Sequence, residues 1–240
     1  MLSFNEAWIA VLGFSFQLFL DFSAYTEMAI GTALILNLIL PENFRRPYLA
    51  TNLREFWRRW HITLSNFIRD YLYIPLGGSR AGPLRYVVAT LVSMGLCGLW
   101  HGAGWTFVAW GLWHGVGLIV CRGWQSLNRP LPAAAGWAVT MLFVLVGWVL
   151  FRAHSFGTAG TILVSLASFG AGSAFLPSSA DMLLLTVAAL ACVALPSAHE
   201  LKDRLLAPHP AVAAVTAALA AFCILEVGKG APAAFLYFQF

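Results

Sequence analysis

The stretch GLWHGAGWTFVAWGLWHG, residues 98–115, carries one five-letter phrase twice, with His101 in the first copy and His114 in the second. No Asp, Glu, Lys or Arg occurs between Arg85 and Arg122, so both histidines lie in a long apolar run. An ionisable side chain at membrane depth is costly unless it finds a partner or a polar cavity. The two histidines are thirteen residues apart. At 100° per residue, a continuous helix would point them roughly 220° apart, to nearly opposite sides. A break at Gly102–Ala103–Gly104 is therefore expected, with His101 at the end of one helix and His114 within the next.

The rest of the chain sets that hairpin in a membrane. Of its 240 residues, 60% are hydrophobic and 10% charged, against roughly 25% charged in soluble domains. Mean hydropathy is +0.78. An all-α, multi-pass membrane bundle is expected, because lipid leaves unpaired backbone groups no partner. Apolar stretches predict spans at 7–24, 26–40, 84–101, 104–121, 135–153, 181–196 and 210–227, or six to seven crossings, with 159–176 a re-entrant or interfacial piece. Loops are expected near 123–134, 154–158, 172–180 and 197–209. No polar linker separates two soluble domains, so residues 1–240 read as one membrane domain. No signal peptide follows Met1.

Charge gives an orientation. Eight of the fourteen Lys/Arg fall in 45–85, which places that segment on the cytoplasmic face. Arg122, Arg129, Lys202 and Arg204 share that side, and the terminal FLYFQF then faces outward. The interleaved Trp and Tyr suit lipid headgroups better than nucleic acid, so lipid is the expected partner. Cys97, Cys121, Cys192 and Cys223 lack CxxC spacing and read as small core residues. No metal-binding, Walker or nucleophile-elbow motif is present.

Within 41–83, Leu53, Phe56, Trp60, Leu64, Phe67 and Tyr71 recur at helical spacing, and Arg54, Arg58, His61 and Ser65 do so on another face. This predicts one amphipathic helix at the membrane surface with its arginines toward phosphates. Pro75 and Gly77–Gly78 end it. His61 faces either headgroups or a cytoplasmic mouth where an anionic donor would meet Arg58 and Arg59. Asp21 and Glu27 are acids at membrane depth, set on a helix expected to break near Phe22–Ser23. They either serve a site or fix the fold.

His101 itself has three readings: a general base held neutral by burial, a satisfied structural histidine, or, with His114, an axial haem ligand. The 220° offset speaks against the last.

DFSAYTEMAIGTALILNLILPENFRRPYLATNLREFWRRWHITLSNFIRDYLYIPLGGSR (21–80), followed by the twin phrases, resembles the membrane-bound O-acyltransferase (MBOAT) family. Within it, the nearest likeness is to the alginate O-acetylation branch. GWVLFRAHSFGTA (147–159) and FLYFQF also resemble that branch. The chain resembles only the C-terminal half of its members, so a fragment or one half of a split protein is expected. The branch's YSDM reads Tyr25–Thr26–Glu27–Met28 in this chain.

The resemblance implies transfer of an acetyl group from a cytoplasmic thioester to a hydroxyl of an exported polysaccharide such as alginate. D-alanyl transfer toward teichoic acid and a non-catalytic scaffold are the alternatives. It makes His101 and His61 catalytic. It puts Arg58, Arg59, Trp57 and Trp100 among substrate-binding residues, and His114, Asp21, Glu27, Arg69 and Asp70 in support of the site. It implies no bound cofactor, acetyl-CoA or an acyl-carrier thioester as donor, a periplasmic SGNH-type acetyltransferase as partner, and the bacterial inner membrane as location.

Overall fold

The computed structural model describes residues 2–169, 177–197, 200 and 209–227. Every regular element among them is helical, as the composition requires. The chain forms two units, residues 1–195 and 196–240.

In the first unit, α1 runs unbroken from Phe4 to Ile35. Ser3 and Glu6 cap its start reciprocally. The expected break near Phe22–Ser23 is absent, and the two spans predicted there merge into one helix. The reason is local. No proline occurs before Pro41, and the Ser23 and Thr26 hydroxyls donate back to the carbonyls of Leu20 and Ser23 without interrupting the ladder. At 1.5 Å per residue the helix is about 48 Å long, beyond the roughly 30 Å hydrocarbon core. Its buried face, Ala7, Val11, Ser15, Leu18 and Phe22, keeps helical spacing and packs toward α6 (Ala133–Arg152), α7 (Phe156–Ala167) and α8 (Ser179–Ala194). Val11 meets Val149, Ala153 and Ala159 in the core.

The 41–83 segment departs from the expected single helix. It contains a 3-10 turn at Pro47–Leu49, α2 (Leu53–Arg59), α3 (Ile62–Ile68) and a π-turn at Arg69–Tyr73. Trp60 is extended and His61 left-handed, at φ 43°. The apolar stripe splits accordingly. Leu53, Phe56 and Trp60 are buried, while Phe67 and Tyr71 are exposed. The break is stabilised by the segment's own start. The carbonyl of Asn43 accepts from the Ile62 N–H at 2.9 Å, and the Arg45 N–H donates to the Arg59 carbonyl at 2.9 Å. Gly77 and Gly78 then take positive φ in the turn that sequence assigned to them.

Helices α4 (Pro83–His101) and α5 (Trp105–Ser126) are separated at 102–104, where the repeat demanded it. They lie against each other at glycines. A β-carbon on Gly98 would fall 2.1 Å from the Phe107 carbonyl oxygen, and one on Gly115 would sit 3.2 Å from Leu91. Among the described residues three helices, α1, α4 and α6, are both long and apolar enough to cross a membrane, against six to seven crossings expected. Glycine and tryptophan dilute α5, though its 22 residues would suffice in length. Helices α7 and α8 are apolar but shorter. The predicted loop and re-entrant residues 170–176, Lys202, Arg204 and FLYFQF lie outside the described residues.

The second unit contains one described helix, the apolar α9 (Pro210–Val227).

Candidate active site

His114 is fully buried on α5. The Trp57 indole N–H donates to its Nδ1 at 3.3 Å, so Nδ1 is the lone-pair nitrogen and Nε2 carries the hydrogen. Nε2 is sealed and has no hydrogen-bond partner among the described residues. A β-carbon at residue 147 would lie 2.8 Å from it, so glycine on α6 makes the room. In this packing Nδ1 faces Trp57 and Nε2 faces Gly147. The surroundings are aromatic: Trp57, Phe56, Trp110 and Phe143 all meet the His114 ring.

His101 closes α4 and is only partly buried. Its ring meets Trp110 and Phe151, each at 5.1 Å between centroids and edge to face. Trp110 also lies 5.1 Å from His114. One buried indole thus touches both histidines of the repeat, but His114 is sealed and His101 is not.

The fold brings His61 to His101, forty residues on. Trp100 lies 6.5 Å from the His61 ring and 4.9 Å from the His101 ring. Trp100 thus stands between the two imidazoles and meets both. His61 packs on Phe22 at 4.8 Å. Its Nδ1 faces Asn43 Oδ1 at 3.1 Å. Burial pushes its pKa down from 6.5 to about 4, so it is neutral at physiological pH.

A cavity of about 620 Å³ opens beside this pair. Arg54, Arg58, Arg69 and Arg122 border it. Among the described residues Arg58 has no acidic partner. Arg54 donates to Gln125 at 2.7 Å, and Arg122 lies over the Tyr86 ring at 4.0 Å. Asp70 is bound by Arg69 at 2.7 and 2.9 Å, which holds its carboxyl below the usual range. One wall of the cavity follows α4 through Thr90, Ser93 and Cys97. His101 stands four residues beyond Cys97, about one helical turn further on the same face. His61 and His101 do not themselves border the cavity. Ile62, the residue after His61, does, and so does Trp57, which meets Trp110 at 5.9 Å.

The Arg58–Arg59 pair expected at a donor mouth is divided. Arg58 borders the cavity, whereas Arg59 turns to Glu55 one helical turn back and to the Arg46 carbonyl. Burial would raise the Glu55 carboxyl, but hydrogen bonds from the Thr51 N–H and hydroxyl and the Arg59 charge outweigh it and hold it low. Adjacent helical residues point about 100° apart, so one face cannot present both arginines. Arg54, one turn before Arg58, takes the place sequence gave to Arg59. Trp57 borders the cavity while holding His114, and Trp100 is exposed. Asp21 and Glu27 are partly buried on α1 and do not border the cavity. Asn43, Trp110 and Gly147 were not singled out from sequence. Asn43 lies in PENFRRPY, whose prolines signalled only a break.

An all-helical membrane core with a partly buried histidine pair beside a basic cavity defines an integral membrane protein with a chemical interior. The chain belongs to the MBOAT, membrane-bound O-acyltransferase family, whose model matches residues 1–157. It is 45% identical over 166 residues to a peptidoglycan O-acetyltransferase of Helicobacter pylori, covering 68% of this chain and 32% of that protein. It is 43% identical over 188 residues to a probable alginate O-acetylase AlgI of Pseudomonas fluorescens, covering 78% and 38%. A teichoic acid D-alanyltransferase of Streptococcus thermophilus is 30% identical over 162 residues, covering 58% and 39%. The chain spans about a third of the length of the two O-acetyltransferase relatives.

Proposed function

We propose that this chain carries the histidine centre of a membrane O-acetyltransferase acting on an exported polysaccharide such as alginate. The acceptor hydroxyl attacks the carbonyl carbon of an acetyl thioester. Its proton passes to the neutral imidazole of His101, the carbon–sulfur bond breaks, and the thiolate leaves and is protonated. His61 assists from the other side of Trp100. The observation that carries this reading is the four-arginine cavity whose α4 wall ends one turn short of His101. Its arginines suit an anionic donor, acetyl-CoA or an acyl-carrier thioester, arriving from the cytoplasm. The relatives named as O-acetyltransferases match at 43–45% identity and the D-alanyltransferase at 30%, which supports acetyl over D-alanyl. The inner membrane as site and a periplasmic SGNH-type acetyltransferase as partner complete the proposal.

The test is His101→Ala in the native host, with acetylation of exported polysaccharide and membrane protein level as the two readouts. Loss of acetylation at an unchanged level is expected. Undiminished acetylation would remove the mechanism.

A further inference from the structure

Asn43 sits 6% exposed in the loop after α1, and its carboxamide oxygen is engaged by the α2–α3 turn. Its Oδ1 accepts from the Thr63 backbone N–H at 3.2 Å and from the Thr63 hydroxyl at 2.9 Å. A backbone N–H can only donate, so the atom facing it is the oxygen and not the amide nitrogen. The third group on that oxygen is His61 Nδ1, at 3.1 Å. An amide oxygen can only accept, so Nδ1 must carry the hydrogen. The Thr63 hydroxyl lies farther from Nδ1, at 3.5 Å, and its proton is committed to Asn43. Nothing among the described residues hydrogen-bonds His61 Nε2.

The left-handed backbone of His61 belongs to the same device. A non-glycine residue at φ 43° is strained and persists only where its surroundings over-determine it. The Asn43 carbonyl on the Ile62 N–H and the Asn43 side chain on Thr63 supply that constraint. The α3 start, the ring orientation and the ring tautomer therefore depend on one residue.

We propose that Asn43 is a positioning residue that fixes His61 as its Nδ1–H tautomer, leaving the Nε2 lone pair open to assist His101 in acyl transfer. This rests on the acyltransferase reading above for the use of Nε2, but not for the tautomer. The opposite tautomer would put a hydrogen on Nε2 and leave a base with no accessible lone pair. The charged and titratable side chains on the elements around the ring include Asp21 and Glu27 of α1, Glu42 and Arg45 of the loop, Arg59 of α2 and His101 of α4. Burial is the one cause that shifts His61, so packing and not an ion pair sets its protonation.

The test has an arm that needs no turnover. In full-length protein labelled with 15N-histidine, the His61 ring nitrogens are assigned by their loss in His61→Gln. The wild type should show a protonated Nδ1 and a bare Nε2, and Asn43→Ala should lose that preference. A protonated Nε2 in the wild type, or an unchanged tautomer in Asn43→Ala, overturns the proposal whatever the protein's activity. In the kinetic arm, Asn43→Ala should lower kcat about tenfold, less than the roughly 100-fold or more expected for loss of a general base itself, with KM little changed. Asn43→Asp keeps the acceptor and adds a charge that favours the imidazolium. It should keep the tautomer, recover rate at alkaline pH and move the acid limb of the profile up by about 1–3 units. If Asn43→Ala does not accumulate, Asn43→Asp decides alone, and a wild-type pH profile in it overturns the proposal. Unaltered acetylation in His101→Ala would instead strike the reading of function and leave the nitrogen assignment standing.

Discussion

Gly98 and Gly111, the first residues of the two repeated phrases, face each other across α4 and α5. A β-carbon on Gly98 would lie 3.2 Å from the Gly111 nitrogen, and one on Gly111 would lie 3.1 Å from the Gly98 nitrogen and 2.1 Å from the Met94 carbonyl oxygen. Backbone cannot yield as a flexible side chain can. Gly98→Ala and Gly111→Ala are each expected to cost about 3 kcal/mol or more by overpacking. The check is the melting temperature in detergent together with membrane level. Gly123→Ala, with nothing within 4 Å of the added carbon, is the control and should be silent.

The two histidines of the repeat should separate in experiment. His114→Ala removes a fully buried ring and strands the Trp57 indole N–H. A loss of about 2–5 kcal/mol is expected, seen as lower protein level with specific activity largely kept. His101→Ala should do the reverse. Finding the opposite pattern would exchange their roles.

The arginines should separate too. Arg54→Gln and Arg58→Gln are expected to raise the KM for a thioester donor several-fold, most at low ionic strength, because they border the cavity. Arg59→Gln should leave donor KM unchanged and lower thermal stability modestly, because its partner is Glu55. Donor titrations at two salt concentrations distinguish these outcomes.

The pH dependence of stability follows from His61. Above its unfolded value of 6.5 both states are neutral and the ring adds no slope. Between 6.5 and about 4 only the unfolded chain takes up the proton, so stability falls as pH falls. The slope is up to about 1.4 kcal/mol per pH unit. His61→Gln cannot titrate and should flatten melting temperatures between pH 7.5 and 5 relative to the wild type. Parallel curves would mean that the ring is not buried as a neutral group.

Residues 53–71 teach how far periodicity reaches. The spacing of Arg54, Arg58 and Ser65 placed them on one face, and all three border the cavity. The same spacing joined them to His61 on one continuous helix, and there the structure differs. The helix breaks at Trp60–His61 because Asn43 offers its freed amides better partners than a further turn would. Asp21 and Glu27 show the converse. The helix that carries them was expected to break near Phe22–Ser23, yet the Ser23 and Thr26 hydroxyls satisfy themselves within the turn.

By itself the sequence determined the membrane class, the helix break at 102–104 and the cluster of arginines that borders the cavity. Each of these depends on composition or on neighbours within a few turns. Only the tertiary structure decided which histidine is sealed, which arginine faces inward and which nitrogen of His61 is free to accept. Those answers come from Trp57 on His114, 57 residues apart, and Asn43 on His61, 18 apart. A hydrogen bond between distant segments leaves no period in the chain, so packing alone can assign it.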